Sequence, residues 1–431
     1  MEKINKNKLL WKIAKRYIPT GNMFLSKNPS RFIDKIWPTY FSKSKGCEVW
    51  DLNKKKYYDM SLMGVGTNIL GYANKKVDTK VKDVIQKGNL TTLNCPEEVL
   101  LAKQLIKMHP WSNMARFAKT GGEANAIAIR LARAFTNKEI VLVCGYHGWH
   151  DWYLAANLEN KNQLDTHLFK DLKFAGVPNS LKGVTKTFNY NNYDQLKKMI
   201  NKYGNKIAAV KMEVQRDFIP KNNFLKRVRD ITKKNKILLI FDECTSGFRE
   251  TFGGLHLKYR VNPDIALFGK ALGNGYPITA IIGKRKIMEM SKNTFISSTF
   301  WTDRIGPTAA LASLKEMQRV KSWKIISQKG LLIKEKLNEI GKKNNLKLHF
   351  KGLDSLITFE IDAKNPEILY KYITARMLQN GFLAKNAIYV CTQHNNKILN
   401  KYFKIMDQIF SEIKNNSIEI LKRKTYKLIN D

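Results

Sequence analysis

Ile237-Leu238-Leu239-Ile240-Phe241-Asp242-Glu243 and Ile265-Ala266-Leu267-Phe268-Gly269-Lys270 are the two stretches on which the fold turns. Each is a short apolar run ending on a charged residue, and Lys270 follows Asp242 by 28 residues. Runs of this length read as buried strands, and the interval accommodates one connection between neighbouring strands. The same pattern recurs at 140–143, 207–210 and 278–282. Segments 97–108 and 123–135 read as helices, the second with Ala124, Ile127, Ala128 and Leu131 on one face. Strands alternating with helices predict an α/β fold, a mostly parallel central sheet with helices on both faces. The expected organisation is an N-terminal segment, 1–70, that packs with the small domain; a large α/β domain, 71–307; and a smaller α+β domain, 308–431. Ligands of such sheets sit at the carboxyl ends of the strands, where Asp242 and Lys270 stand.

The rest of the chain bounds the answer. Leu10, Ile13, Ala14 and Tyr17 share one face of an N-terminal helix, expected to dock onto the protein itself. Val49-Trp50-Asp51 and Tyr57-Tyr58-Asp59 flank a Lys-rich turn and read as a hairpin. The 431 residues are 43% hydrophobic, ample for a large domain and a smaller one. No apolar run approaches the roughly 20 residues of a membrane-spanning helix, and the start lacks the apolar core of a signal peptide. No membrane span and a cytoplasmic location are therefore expected. The five cysteines, Cys47, Cys95, Cys144, Cys244 and Cys391, are scattered without a Cys-x-x-Cys pair, which argues against a disulfide framework or a zinc site. Net charge is +40, from 76 Lys and Arg against 36 Asp and Glu. The lysines are spread along the whole chain and outnumber the arginines that specific nucleic-acid readers favour. Nucleic acid is not the expected partner, although such a surface draws anionic substrates.

An amine and a carboxylate at neighbouring strand ends can face one bound molecule, and pyridoxal 5′-phosphate (PLP) needs that pair. A Lys amine forms a Schiff base with its aldehyde. An Asp keeps the pyridine nitrogen protonated, because a nearby negative charge favours the charged form. Either residue alone reads equally well as a solvated strand-end group. Lys119-Thr120-Gly121-Gly122-Glu123 directly precedes a helix, where glycines and a helix N-terminus make a phosphate cradle, or simply a loop with a Thr cap. Tyr146-His147-Gly148 follows the strand at 140–143, where an aromatic can stack on a planar ring or serve as a buried structural Tyr. His147 and His150 lack an accompanying acid or Cys cluster, so no metal is expected.

Together these residues resemble the class III (fold type I) PLP-dependent aminotransferases, and among them the glutamate-1-semialdehyde 2,1-aminomutase branch. The likeness runs over nearly the whole chain. It includes Gly46-Cys47-Glu48-Val49-Trp50-Asp51, Asn68-Ile69-Leu70-Gly71-Tyr72, Thr120-Gly121-Gly122-Glu123-Ala124 and Ala128-Ile129-Arg130-Leu131-Ala132-Arg133. The most specific pieces are Phe241-Asp242-Glu243 with Gly247-Phe248-Arg249, and Phe268-Gly269-Lys270. The resemblance implies an aminotransferase that moves an amino group from an amino donor to a carbonyl acceptor. Intramolecular transfer of the aminomutase kind is the alternative. A basic binding protein on an inactive scaffold is disfavoured by the intact Asp242 and Lys270.

The resemblance also implies roles. Lys270 would carry PLP and shuttle the proton between substrate Cα and cofactor, and Asp242 would hold the pyridine nitrogen. Tyr146 would stack on the ring, and Thr120, Gly121 and Gly122 would bind the phosphate. Glu213 would lie near the cofactor. Thr302, or less favourably Thr299, would reach the phosphate of the neighbouring subunit, in a homodimer whose active site lies at the subunit interface. There are departures. Gly122 replaces a usual Thr, Val214 a usual Pro, and Cys244 a usual Val. Ser298-Thr299-Phe300-Trp301-Thr302-Asp303-Arg304 replaces a stretch of small residues. The aminomutase's Ser-Pro-x-Arg element for the substrate carboxylate is not expected in 20–30, where Lys27 and Arg31 are the nearby cations. A substrate other than glutamate-1-semialdehyde is the resulting expectation.

Overall fold

The computed structural model describes residues 5–430. The chain divides into two compact units, one of residues 76–323, the other of the N-terminal segment through Lys75 together with Lys324 onward.

The discontinuous unit begins with helix α1, Lys6–Tyr17, and a meander of β1, Phe41–Lys45, β2, Glu48–Asp51, and β3, Lys56–Asp59. The hairpin turn between β2 and β3 is closed by Asp51, whose Oδ1 accepts the amides of Asn53 and Lys55 at 2.8 and 2.9 Å. Asn7 of α1 donates to the other oxygen of Asp51 at 3.1 Å. The expected docking face of α1 is mostly open. Ala14 is buried, while Leu10, Ile13 and Tyr17 are 38%, 39% and 81% exposed. The polar anchor at Asn7, rather than the apolar stripe, fixes this helix to its unit.

In the second unit a seven-stranded sheet forms from β4, Met114–Ala118, β5, Ile140–Cys144, β6, Thr185–Thr187, β7, Ile207–Glu213, β8, Leu238–Glu243, β9, Ile265–Phe268, and β10, Thr279–Gly283. Its order is β4-β10-β9-β8-β7-β5-β6. The strands from β6 through β9 in that order pair in parallel, and β10 runs antiparallel to both its neighbours. Helix α2, Gly121–Thr136, covers one side. Its Ala124, Ile127, Ala128 and Leu131 are buried in one cluster with Val141, Val143, Ala209, Ile240, Leu267 and Ile281. A fully buried Leu such as Leu131 contributes about 2 kcal/mol. Helix α3, Phe224–Lys234, buries Leu225 and Val228. Helix α4, Ile305–Val320, also belongs to this unit.

The chain returns to the first unit with β11, Leu348–Lys351, β12, Leu356–Ile361, β13, Phe382–Leu383, and β14, Ala387–Tyr389. β11, β12 and β14 form an antiparallel sheet, and β13 adds in parallel to β3. One sheet thus joins the N-terminal and C-terminal parts of the chain. Among the described residues no helix is long and apolar enough to cross a membrane.

Candidate active site

The parallel register sets the carboxyl ends of three strands level. Glu213 at the end of β7 pairs with Asp242 of β8, and Glu243 pairs with Phe268 of β9. Side chains alternate along a strand, so adjacent Asp242 and Glu243 leave on opposite faces of the sheet. Glu243 turns to the loop beyond β8. There its carboxylate accepts the amides of Leu255 and His256, the Ser246 hydroxyl and His256 Nδ1, all within 2.9 Å. Asp242 serves the other side. Its Oδ2 accepts a hydrogen bond from His147 Nδ1 at 2.9 Å and its Oδ1 accepts the Cys244 amide at 3.1 Å. Burial alone would raise this carboxyl. The Lys211 charge, the His147 hydrogen bond and the Cys244 amide outweigh burial and hold it well below the usual range.

Lys270 follows β9 after the single residue Gly269 and opens a short 3-10 turn, Lys270–Gly273. Its backbone sits at φ 45°, a left-handed conformation that non-glycine residues rarely adopt outside sites that over-determine it. The Nζ donates to Thr245 Oγ1 at 2.8 Å. Desolvation, then the nearby Arg216 guanidinium, pushes this amine down to about 8. Arg216 itself grips Glu213 with Nε and Nη2 at 2.7 and 2.6 Å, and Nη2 reaches Thr245 Oγ1 at 3.2 Å. One hydroxyl therefore links the amine of Lys270 to a guanidinium. Neither Arg216 nor Thr245 stood out in the sequence, although an Arg three residues beyond a strand-end Glu is the signal that could have found it. His147, weighed only as a metal ligand, is the partner of Asp242.

Tyr146 lies beside this cluster. Its amide donates to Glu213 Oε2 at 3.1 Å, and its ring meets Phe169 edge-on at 5.3 Å. The cradle is built by α2. Thr120 caps the helix, its hydroxyl accepting the Glu123 amide at 3.3 Å, and Glu123 Oε2 accepts the Thr120 and Lys119 amides at 2.7 and 3.0 Å. That reciprocal cap engages the Thr120 hydroxyl, and the amides of Gly121 and Gly122 face beyond the reach of any intrahelical carbonyl. A Cβ added at Gly121 would lie 3.6 Å from Cys244 Sγ, so the cradle abuts the end of β8. A Cβ added at Gly122 would fall 2.7 Å from His150 Nδ1. The space of the usual Thr side chain is taken by His150, whose buried Nδ1 has no hydrogen-bond partner.

The stretch beyond β10 is tied to the cradle. Trp301 Nε1 donates to Glu123 Oε1 at 3.0 Å, and Lys119 pairs with Asp303. Thr302 is exposed, its hydroxyl donating to the Thr299 carbonyl at 2.9 Å, and no described contact joins either threonine to the Lys270 cluster. In the other unit, Asn28 caps the turn Pro29–Arg31, its side chain accepting the Ser30 amide at 3.1 Å and the Ser30 hydroxyl at 2.8 Å. Asn28-Pro29-Ser30-Arg31 is thus a Pro-x-Arg turn with Asn as its cap.

PLP fits these residues: a desolvated amine, a carboxylate at an adjacent strand end, two helix-terminal amides and an orphaned imidazole nitrogen at the cradle. Sheet and site together define a fold type I PLP enzyme. The family described as aminotransferase class-III matches residues 33–398, and the chain belongs to that family: it is a PLP-dependent aminotransferase. The glutamate-1-semialdehyde 2,1-aminomutase of Methanocaldococcus jannaschii is 31% identical, covering 95% of this chain and 98% of its own. The 3-aminobutyryl-CoA aminotransferase of Cloacimonas acidaminovorans is 30% identical, covering 96% and 98%. Among solved structures, the PLP form of the Sphingopyxis sp. MTA144 FumI protein superposes with a TM-score of 0.85 at 22% identity, over 96% of this chain and 99% of that one. An omega-transaminase from Sphaerobacter thermophilus gives 0.84 at 19% identity, over 96% and 99%.

Proposed function

We propose that this aminotransferase moves an amino group between an amine donor and a separate carbonyl acceptor, with Lys270 as the lysine that carries PLP and Asp242 at its ring nitrogen. The observation that carries the assignment is the pair of neighbouring strand ends, one delivering a charged carboxylate and the other an amine pushed down to about 8. PLP, when bound, supplies the electron sink that lets a substrate Cα release its proton. Lys270 Nζ takes that proton and returns it, a task suited to an amine that titrates near neutrality. Asp242 keeps the ring nitrogen charged. The Gly121 and Gly122 amides and His150 hold the phosphate, with Thr120 fixing the loop through its cap. Tyr146 orients the ring, and Glu213 restrains Arg216 beside Lys270. The exposed Thr302, with Thr299 beside it, is offered to the phosphate of a second copy, in a cytoplasmic homodimer with its active site at the interface.

Intramolecular transfer, as in the aminomutase relatives, is the second reading. The likeness to aminomutases over nearly the whole chain favours it. The deciding experiment follows donor consumption by the PLP-loaded protein with and without an added keto acid. Turnover that requires the keto acid supports the first reading. Rapid conversion of glutamate-1-semialdehyde alone replaces it with the second.

A further inference from the structure

Lys211 lies in the middle of β7, two residues before Glu213, with Val143 and Ile240 as its cross-strand neighbours. It is fully buried, and its Nζ has no hydrogen-bond partner. The nearest charge is Asp242 Oδ2 at 3.8 Å, beyond direct hydrogen-bond reach. An ammonium in a dry interior is strongly disfavoured unless a carboxylate offsets it. The titratable groups that face it are Asp242 and Cys244 from β8 and the residues just beyond it, Glu213 from its own strand, and His147 from the segment after β5. Glu213 is claimed twice by Arg216. Burial keeps the Cys244 thiol protonated, and burial together with the Lys211 charge keeps His147 neutral. Asp242 therefore has one cation beside it, Lys211.

A bound cofactor changes this balance. A protonated ring nitrogen at Asp242 brings a second positive charge to one buried carboxylate, and sites coupled this closely do not hold both protons. We propose that Lys211 is a positioning residue that yields Asp242 to the cofactor: an ammonium before PLP seats, a neutral amine afterwards. The N–H bond at Nζ breaks, its electron pair stays on nitrogen and the proton leaves to solvent. The pyridinium nitrogen takes over the carboxylate. The group of charges sums to zero before and after. The buried lysine thus keeps Asp242 ionised and aimed while the site waits for its cofactor, and competes with nothing once the cofactor is in place.

This inference rests on the assignment of Asp242 to the ring nitrogen, so the test separates the two. Proton exchange on loading is measured by titration calorimetry in buffers of differing ionisation enthalpy, with PLP and with the analogue whose ring nitrogen is carbon. Both form the same bond to Lys270, so their difference isolates the ring nitrogen and what answers to it. The wild type is measured at a pH above that at which the free ring nitrogen loses its proton, and the protonation of the bound ring is read separately by nitrogen-15 magnetic resonance of ring-labelled PLP. A protonated ring with no extra proton bound relative to the analogue is the expected result, because the ring's gain matches the loss from Lys211. A protonated ring with one extra proton bound would overturn the proposal. An infrared carbonyl band of a protonated carboxyl in the unloaded wild type, missing from Asp242→Asn, would overturn it too, since the proton would then come from Asp242 itself. A neutral ring nitrogen would sink the Asp242 assignment and the Lys211 proposal with it.

Discussion

His150 stands where a side chain at position 122 would go: a Cβ built on Gly122 lies 2.5 Å from His150 Cε1. The glycine and the histidine therefore share one space, at the loop proposed to hold the phosphate. Gly122→Thr, which restores the residue usual in the family, should weaken PLP binding about tenfold or more, because the ring must move. Adding His150→Ala to it should recover much of that loss. His150→Ala alone should cost a few-fold, about one hydrogen bond to an anion. Absorbance titration of the apoprotein with PLP reads all three, and a Gly122→Thr protein that binds as well as wild type would refute the coupling.

Desolvation and the Arg216 charge place Lys270 at about 8, against 10.5 for an ordinary lysine. Only the neutral amine attacks an aldehyde. The rate of PLP incorporation should rise with pH up to about 8 and level off above it. Arg216→Gln removes the second of those causes, so its midpoint should move upward. Stopped-flow absorbance over a pH series checks both, and a wild-type midpoint near 10 would contradict the described environment.

Lys270→Ala should abolish the visible absorbance of the loaded protein and all turnover. Asp242→Asn should retain cofactor but lose on the order of a hundredfold in activity, roughly 3 kcal/mol. Borohydride reduction followed by peptide mapping locates the labelled lysine. A label anywhere other than position 270 would displace the assignment.

Glu243, one residue from Asp242, should behave quite differently. It accepts four hydrogen bonds, all from Ser246, Leu255 and His256. His256 in turn accepts from Trp111 Nε1 at 2.9 Å, which fixes its tautomer with Nδ1–H toward Glu243. Glu243→Ala strands several buried donors and should destabilise the fold by about 3–5 kcal/mol in urea melts. Burial raises this carboxyl, but the His256 contacts and other donors bring it below its ordinary value. Its contribution is therefore present above the ordinary carboxyl range and lost as pH falls through the lowered value. Glu243→Gln should flatten that acid limb.

Much of this was legible in the residues. The strand at Ile265–Phe268 begins and ends where its apolar run does, and the face Ala124, Ile127, Ala128 and Leu131 is the buried face. These elements are internal, so hydrophobic burial leaves a clear period. β4 and β6 left none. They are the outermost strands of the sheet, β4 with Arg116 at its centre and β6 a three-residue Thr-Lys-Thr. Lys211 was hidden for the opposite reason: a charged side chain within an apolar run reads as an interruption, whereas here it is the counter-charge of a residue 31 positions later in the chain. The Asp242-Glu243 pair shows the same limit, since alternation says that the two differ in facing but not which one turns toward His147 and Lys211.

The Trp301–Glu123 and Lys119–Asp303 contacts make the turn Thr299–Thr302 and the loop before α2 one mechanical part. Changing that turn would therefore also loosen the loop proposed to anchor the coenzyme. Variants altered there should demand more supplemented vitamin to stay active, and rigidity at Glu123 would have to be rebuilt alongside.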